Sequence, residues 1–87
     1  MNQNSEINVT VRLFAGAAQQ AGVRTVGILV PAPGDVASAR TVLIEKYPQL
    51  RALCAVSLWA TETEVLDEHA LLQPNSELAM IPPVSGG

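Results

Sequence analysis

One segment of the 87-residue chain has the length and spacing of an amphipathic helix, and this limits the folds available to it. Residues 36–46 contain neither Gly nor Pro, and apolar or aromatic residues recur here at intervals of three and four: Val36, Ala39, Leu43 and Tyr47. Asp35 is the predicted N-cap, and Pro48 is expected to end the helix. Because one helix cannot bury its own apolar face, it must pack on strands formed by the rest of the chain.

Five short stretches are predicted β-strands, because their residues are β-branched or alternate between apolar and polar. These stretches are residues 7–14, 23–30, 54–60, 64–66 and 77–81. The first two are expected to pair antiparallel, and the segment between them, closed by Gly22, is either a helical turn or a loop. The predicted fold class is α+β: a β-grasp (ubiquitin-like) domain with a mixed sheet of four to five strands and one main helix.

Composition excludes several classes of protein. The net charge of −3 and the scattered Lys and Arg residues argue against nucleic-acid binding. No apolar run reaches the roughly 18–20 residues of a membrane span, and Met1 to Glu6 lack a signal-peptide core, so a cytoplasmic location is expected. Cys54, the single cysteine, is expected to be a buried thiol. His69 fits no metal motif, and no metal site is predicted.

The C-terminus is the segment that can carry chemistry. We predict a domain over residues 1–81 and a flexible tail over residues 82–87, because Pro82-Pro83 cannot continue a strand and favours an extended path. Gly86 and Gly87 lack a Cβ, so they can enter a channel too narrow for side chains. The terminal carboxylate is ionised at neutral pH and is a poor electrophile until it is activated.

The ending Met80-Ile81-Pro82-Pro83-Val84-Ser85-Gly86-Gly87 resembles the C-terminal motif of molybdopterin synthase small subunits, which are ubiquitin-like sulfur carriers. The stretch Val11–Ala15, followed by Gly22, is similar to their first strand and its loop, and Tyr47-Pro48 is similar to the end of their helix. Ala18-Gln19 stands where many members carry an Arg-Glu pair, and Asn75-Ser76 replaces the usual Asp-Gly turn. Because the tail motif is complete, these departures leave the carrier chemistry intact and concern only which pathway receives the sulfur.

The resemblance implies that Gly87 is adenylated and converted to a thiocarboxylate that donates sulfur to a pyranopterin precursor, forming the molybdopterin dithiolene. It implies three partners: an E1-like adenylating enzyme, a sulfurtransferase and the large subunit of molybdopterin synthase. ATP is used by the activating enzyme, and no cofactor is expected to be bound by the chain. The segment Pro82, Pro83, Val84 and Ser85 is expected to lie against the partner that receives Gly86 and Gly87.

Apolar residues on faces that should be polar predict a docking patch. The predicted members are Phe14, Trp59 and Ile81, which alternation directs outward, and they are joined by Val65 on the short fourth strand. Their strands are expected neighbours in a β-grasp sheet, and aromatic and aliphatic side chains commonly anchor protein interfaces. In this prediction Cys54, Val56, Leu58 and Ala60 point into the core, opposite to Trp59.

Three other functions are compatible with the residues. The thiocarboxylate could serve a different product, such as thiazole or cysteine. The chain could be a non-covalent β-grasp binding module with an inert tail, or a ubiquitin-like modifier that forms isopeptide bonds.

Overall fold

The computed structural model describes residues 5–83 as one mixed sheet with helices against one of its faces. In chain order the elements are β1 (Glu6–Leu13), α1 (Ala15–Ala21), β2 (Thr25–Pro31), α2 (Val36–Lys46), a 3₁₀ turn (Pro48–Leu50), α3 (Arg51–Val56), β3 (Leu58–Ala60), β4 (Val65–Leu66) and β5 (Ser76–Ile81). The spatial order of the strands is β2-β1-β5-β3-β4. The central pair, β1 and β5, is parallel, and the other pairs are antiparallel. The β-grasp prediction is confirmed.

The main helix, α2, has the bounds that the sequence predicts. Val36, Ala39 and Leu43 have no exposed surface, so the predicted face packs into the core. The Asp35 carboxylate caps the helix by accepting a hydrogen bond from the backbone N–H of Ser38 at 2.8 Å. This hydrogen bond to the charged form lowers the pKa of Asp35 below its ordinary value of 3.8.

The first two strands pair antiparallel as predicted, and the segment between them is a helix. Val9, Val11 and Leu13 of β1 are buried, while the residues between them face solvent or are half-buried. Helix α1 ends at Gly22, whose φ of 79° is a left-handed conformation that suits glycine. Because this cap is followed by a short turn, β2 begins two residues later than predicted.

The prediction for residues 54–60 is wrong in element type and in phase. Cys54 belongs to α3, and only Leu58–Ala60 form a strand. In that strand Trp59 is 5% exposed and Leu58 is 56% exposed, the reverse of the predicted orientation. Val56, predicted to point inward, is also exposed.

The size of the indole explains the phase of β3. The run from Cys54 to Ala60 is apolar at almost every position, so its pattern does not distinguish the two faces. Turning Trp59 inward, where it pairs with Met80 of β5, removes more apolar area from water than burying Leu58 would. The cost is an indole Nε1 that is buried with no hydrogen-bond partner in the described part of the chain.

The last strand follows its prediction closely. Leu78 and Met80 are fully buried, and Ile81 is exposed on the other face. Because β5 lies between β1 and β3, its C-terminal end emerges in the middle of the sheet edge. Pro82 is buried and Pro83 is exposed. The predicted tail residues Val84, Ser85, Gly86 and Gly87 lie outside the described residues, so the flexible tail stays a prediction.

Candidate functional site

The end of β5 defines the candidate site, since the predicted tail starts there. The parallel register pairs Leu13 with Met80, so Phe14 follows beside Ile81. The antiparallel register on the other side pairs Leu58 directly with Ile81. Three large apolar side chains therefore form one row across β1, β5 and β3, at the point from which the C-terminus leaves the sheet.

This row lies on the face of the sheet away from the helices. Phe14 is 42% exposed, Ile81 is 38% exposed and Leu58 is 56% exposed. Val65, which pairs with Ala60 on the next strand, lies on the same face and is 63% exposed. We call Phe14, Leu58, Val65 and Ile81 the apolar patch.

The structure brings together three of the four predicted patch residues. Phe14, Val65 and Ile81 lie on one exposed face as predicted, whereas Trp59 is in the core and cannot serve as an exposed anchor. Leu58 takes its place; it was not among the predicted residues because alternation predicted the opposite phase for β3. No local signal identifies it, because residues 54–60 are apolar at almost every position and their pattern does not distinguish the two faces.

Two charged side chains lie on the same face as the row: Arg12, two residues before Phe14, and Glu77, four residues before Ile81. The Arg12 guanidinium lies 5.8 Å from the centroid of the Phe14 ring, within range of a cation–π contact. Arg12 Nη1 also lies 3.7 Å from Glu77 Oε1 on the neighbouring strand. Both side chains are about half exposed (52% and 54%), so this ion pair is screened by solvent and leaves Arg12 accessible.

The other singled-out residues lie away from the patch. Cys54 is 1% exposed, as predicted; its Sγ lies 4.0 Å from Met80 Sδ, and burial raises the pKa of the thiol. A buried neutral thiol is a poor nucleophile. His69 is exposed, with Nε2 3.8 Å from Glu68 Oε2. Within residues 5–83 no cluster of His, Cys, Asp or Glu side chains has the arrangement of a metal site.

Helices of the described chain are too short or too polar to cross a bilayer. The longest, α2, has 11 residues, about half of the roughly 20 that a membrane-spanning helix needs.

Comparisons with known proteins cover nearly the whole chain. Residues 11–87 match the ThiS family. The molybdopterin synthase sulfur carrier subunit of Arabidopsis thaliana is 30% identical over 86 residues, which are 99% of this chain and 90% of the relative. The match to the family includes the terminal Gly86 and Gly87.

Two solved structures have the same fold. Small archaeal modifier protein 1 from Haloferax volcanii has a TM-score of 0.83 and 28% identity, covering 92% of this chain and 99% of that chain. The complex of subunits 1 and 2 of the molybdopterin-converting factor from Helicobacter pylori contains a chain with a TM-score of 0.65 and 22% identity, covering 93% of this chain and 100% of that chain.

Proposed function

The chain belongs to the ThiS family, and from this premise we propose that it is the sulfur carrier subunit of molybdopterin synthase. The observation that carries the proposal is its near full-length similarity to a relative of that name. Gly87 is the residue that carries sulfur, and the β-grasp domain presents it to partner proteins.

The chemistry takes place at the last carbonyl carbon. The Gly87 carboxylate attacks the α-phosphate of ATP and displaces pyrophosphate, which gives an acyl-adenylate. Sulfide from a donor protein then attacks the carbonyl and displaces AMP, leaving a thiocarboxylate whose sulfur is a good nucleophile. That sulfur attacks a carbon of the pyranopterin precursor and displaces an oxygen substituent, and water then cleaves the acyl–sulfur bond, which leaves the sulfur on the precursor and restores the Gly87 carboxylate.

The geometry at the end of β5 suits delivery of such a terminus. Ile81 is held in the sheet between β1 and β3, and Pro82 is buried beside it. Residues 82–87 can span about 20 Å when extended, at about 3.3 Å per residue. A partner that covers the apolar patch therefore has Gly87 within reach of an active site set well back from the interface.

We propose three partners, each with a separate task. An E1-like adenylating enzyme uses ATP to activate Gly87, and a sulfurtransferase supplies the sulfur. The large subunit of molybdopterin synthase covers the apolar patch and accepts the tail, as the assembly named for the Helicobacter pylori proteins suggests. We propose that these encounters take place in the cytoplasm. We also propose that the chain itself binds no cofactor.

Intact-mass analysis tests the proposal. The full chain is co-expressed with the adenylating enzyme and the sulfurtransferase of its own genome. The expected result is a mass increase equal to replacing one oxygen by sulfur, which disappears when Gly87 is deleted. The charged protein, mixed with the large subunit and the precursor, is expected to form the dithiolene. A wild-type chain that stays uncharged with both enzymes present would refute the proposal.

A second candidate is a protein modifier, which the similarity to small archaeal modifier protein 1 favours. The same adenylate would then be attacked by a lysine amine, forming an isopeptide bond and releasing AMP. Conjugates in the source cells that are lost on deletion of Gly87 would support this candidate. A charged chain that delivers sulfur to a thiazole or cysteine product, and not to the dithiolene, would support a different carrier pathway.

A further inference from the structure

A groove lies beside the apolar patch, on the side of β2 and α1. It is lined by Arg12, Leu13, Phe14, Ala18, Arg24 and Thr25. Phe14 therefore belongs both to the patch and to the wall of this groove. A protein that covers Phe14 therefore also contacts one wall of the groove.

The lining of the groove is basic. Arg12 and Arg24 are both exposed, and no carboxylate of residues 5–83 is among the lining residues. Arg12 is held in place by the Phe14 ring and, at 3.7 Å, by Glu77, yet half of its side chain remains accessible. A guanidinium offers five N–H donors in a planar fork, which matches a carboxylate in two-point contact.

The opposite flank of the same face is acidic. A second depression, lined on one side by Arg12 and Phe14, has Glu62 and Glu77 among its other residues. Charge therefore differs between the two depressions that share Arg12 and Phe14: Arg24 lines the groove, whereas Glu62 and Glu77 line the second depression. An apolar patch has little preference for the rotation of a partner, whereas a charge pattern of this kind distinguishes one orientation from its reverse.

We propose that the groove between Arg12 and Arg24 binds an acidic side chain of the large synthase subunit, and that this contact sets the orientation in which the tail is delivered. The inference rests on the proposed function, because it names the protein that receives the tail. A carboxylate placed there would lie in a groove that both guanidinium-bearing side chains line, beside the Phe14 ring.

Charge reversal tests the proposal. Arg24→Glu is compared with Arg51→Glu, an equal change of charge at an exposed residue at the start of α3. Association of each full-length chain with the large subunit is followed by stopped flow at low and high salt. We expect Arg24→Glu to slow association about tenfold at low salt, with a smaller effect at high salt, because rim charges act mainly on the association rate. Arg24→Lys should retain most of the rate.

The possible outcomes distinguish failure of the proposed acidic contact from failure of the proposed function. If Arg24→Glu and Arg51→Glu slowed association equally, the association rate would depend on net charge alone. That result would refute the acidic contact, but binding of the wild-type chain to the large subunit would leave the proposed function intact. If the wild-type chain failed to bind the large subunit at all, the proposed function would be refuted first. Unchanged Trp59 fluorescence and circular dichroism in both variants exclude misfolding as the cause.

Discussion

The two faces of the sheet carry apolar residues for different purposes. On the face toward the helices, Val11, Leu78 and Met80 are completely buried, and they form the core. On the opposite face, the apolar patch (Phe14, Leu58, Val65 and Ile81) is between 38% and 63% exposed. Apolar composition by itself therefore does not identify a core, since neighbouring residues of one strand serve the fold and the proposed interface in turn.

The largest expected difference between the faces lies within β3. Trp59→Ala should lower the free energy of unfolding by about 3–5 kcal/mol, because it removes a large buried side chain and leaves a cavity. Leu58→Ala should cost about 1 kcal/mol or less, because its side chain is already exposed. Urea denaturation followed by circular dichroism measures both. Equal losses in the two variants would contradict the phase that we describe for β3.

The next effect concerns binding rather than stability. Ile81→Asp or Phe14→Asp should weaken the complex with the large subunit about 30-fold or more, since a central interface residue contributes about 2 kcal/mol or more. Isothermal titration calorimetry gives the affinity. Leu29→Asp is the matched control, because Leu29 is 50% exposed on the edge strand β2 and lies outside the patch. If Leu29→Asp weakened the complex as much, the patch would not be the docking surface.

A smaller effect on stability is expected on the helix side of the sheet, where a substitution should leave the apolar patch unaffected. Asp35→Ala should destabilise the domain by about 1 kcal/mol through loss of the α2 N-cap, with no change in affinity for the large subunit. Circular dichroism during thermal unfolding measures the loss of stability. Asp35→Asn retains a capping oxygen and should be the milder variant.

The same carboxylate makes stability depend on pH. Because the folded-state pKa of Asp35 is below its ordinary value of 3.8, the charged cap contributes its full stability above that ordinary value. The contribution is lost as the pH falls through 3.8 and on through the lower folded-state pKa. The difference in unfolding free energy between wild type and Asp35→Asn should therefore shrink over that range, which denaturation at a series of pH values tests.

The smallest effect is expected on the outer face itself. The Arg12–Glu77 pair is 3.7 Å apart and half exposed, so a double-mutant cycle with alanine should give a coupling of about 0.2–1 kcal/mol in folding. The same Arg12→Ala variant should slow association with the large subunit at low salt. A strong folding coupling would mean that Arg12 serves the fold and is less available to a partner.

The sequence predicted the parts of the fold that depend on neighbouring residues. Helix α2 and its cap at Asp35 follow from spacing and side-chain chemistry over a dozen residues, and the last strand follows from the alternation that places Leu78 and Met80 inward. The apolar patch was predicted in three of its four residues for the same reason. The error at Trp59 arose where alternation carried no information, in a run that is apolar on both faces.

Residue pattern by itself determined the β-grasp class and singled out the terminal Gly86-Gly87, because helical spacing, alternation and a glycine ending are properties of adjacent residues. Only the tertiary structure decided that Leu58 is exposed while Trp59 is buried, and that Arg12 and Arg24 border one groove next to Phe14. Those facts depend on which strands lie side by side and on how much area each side chain buries. Both are set by contacts between residues far apart in the chain, which no local pattern records.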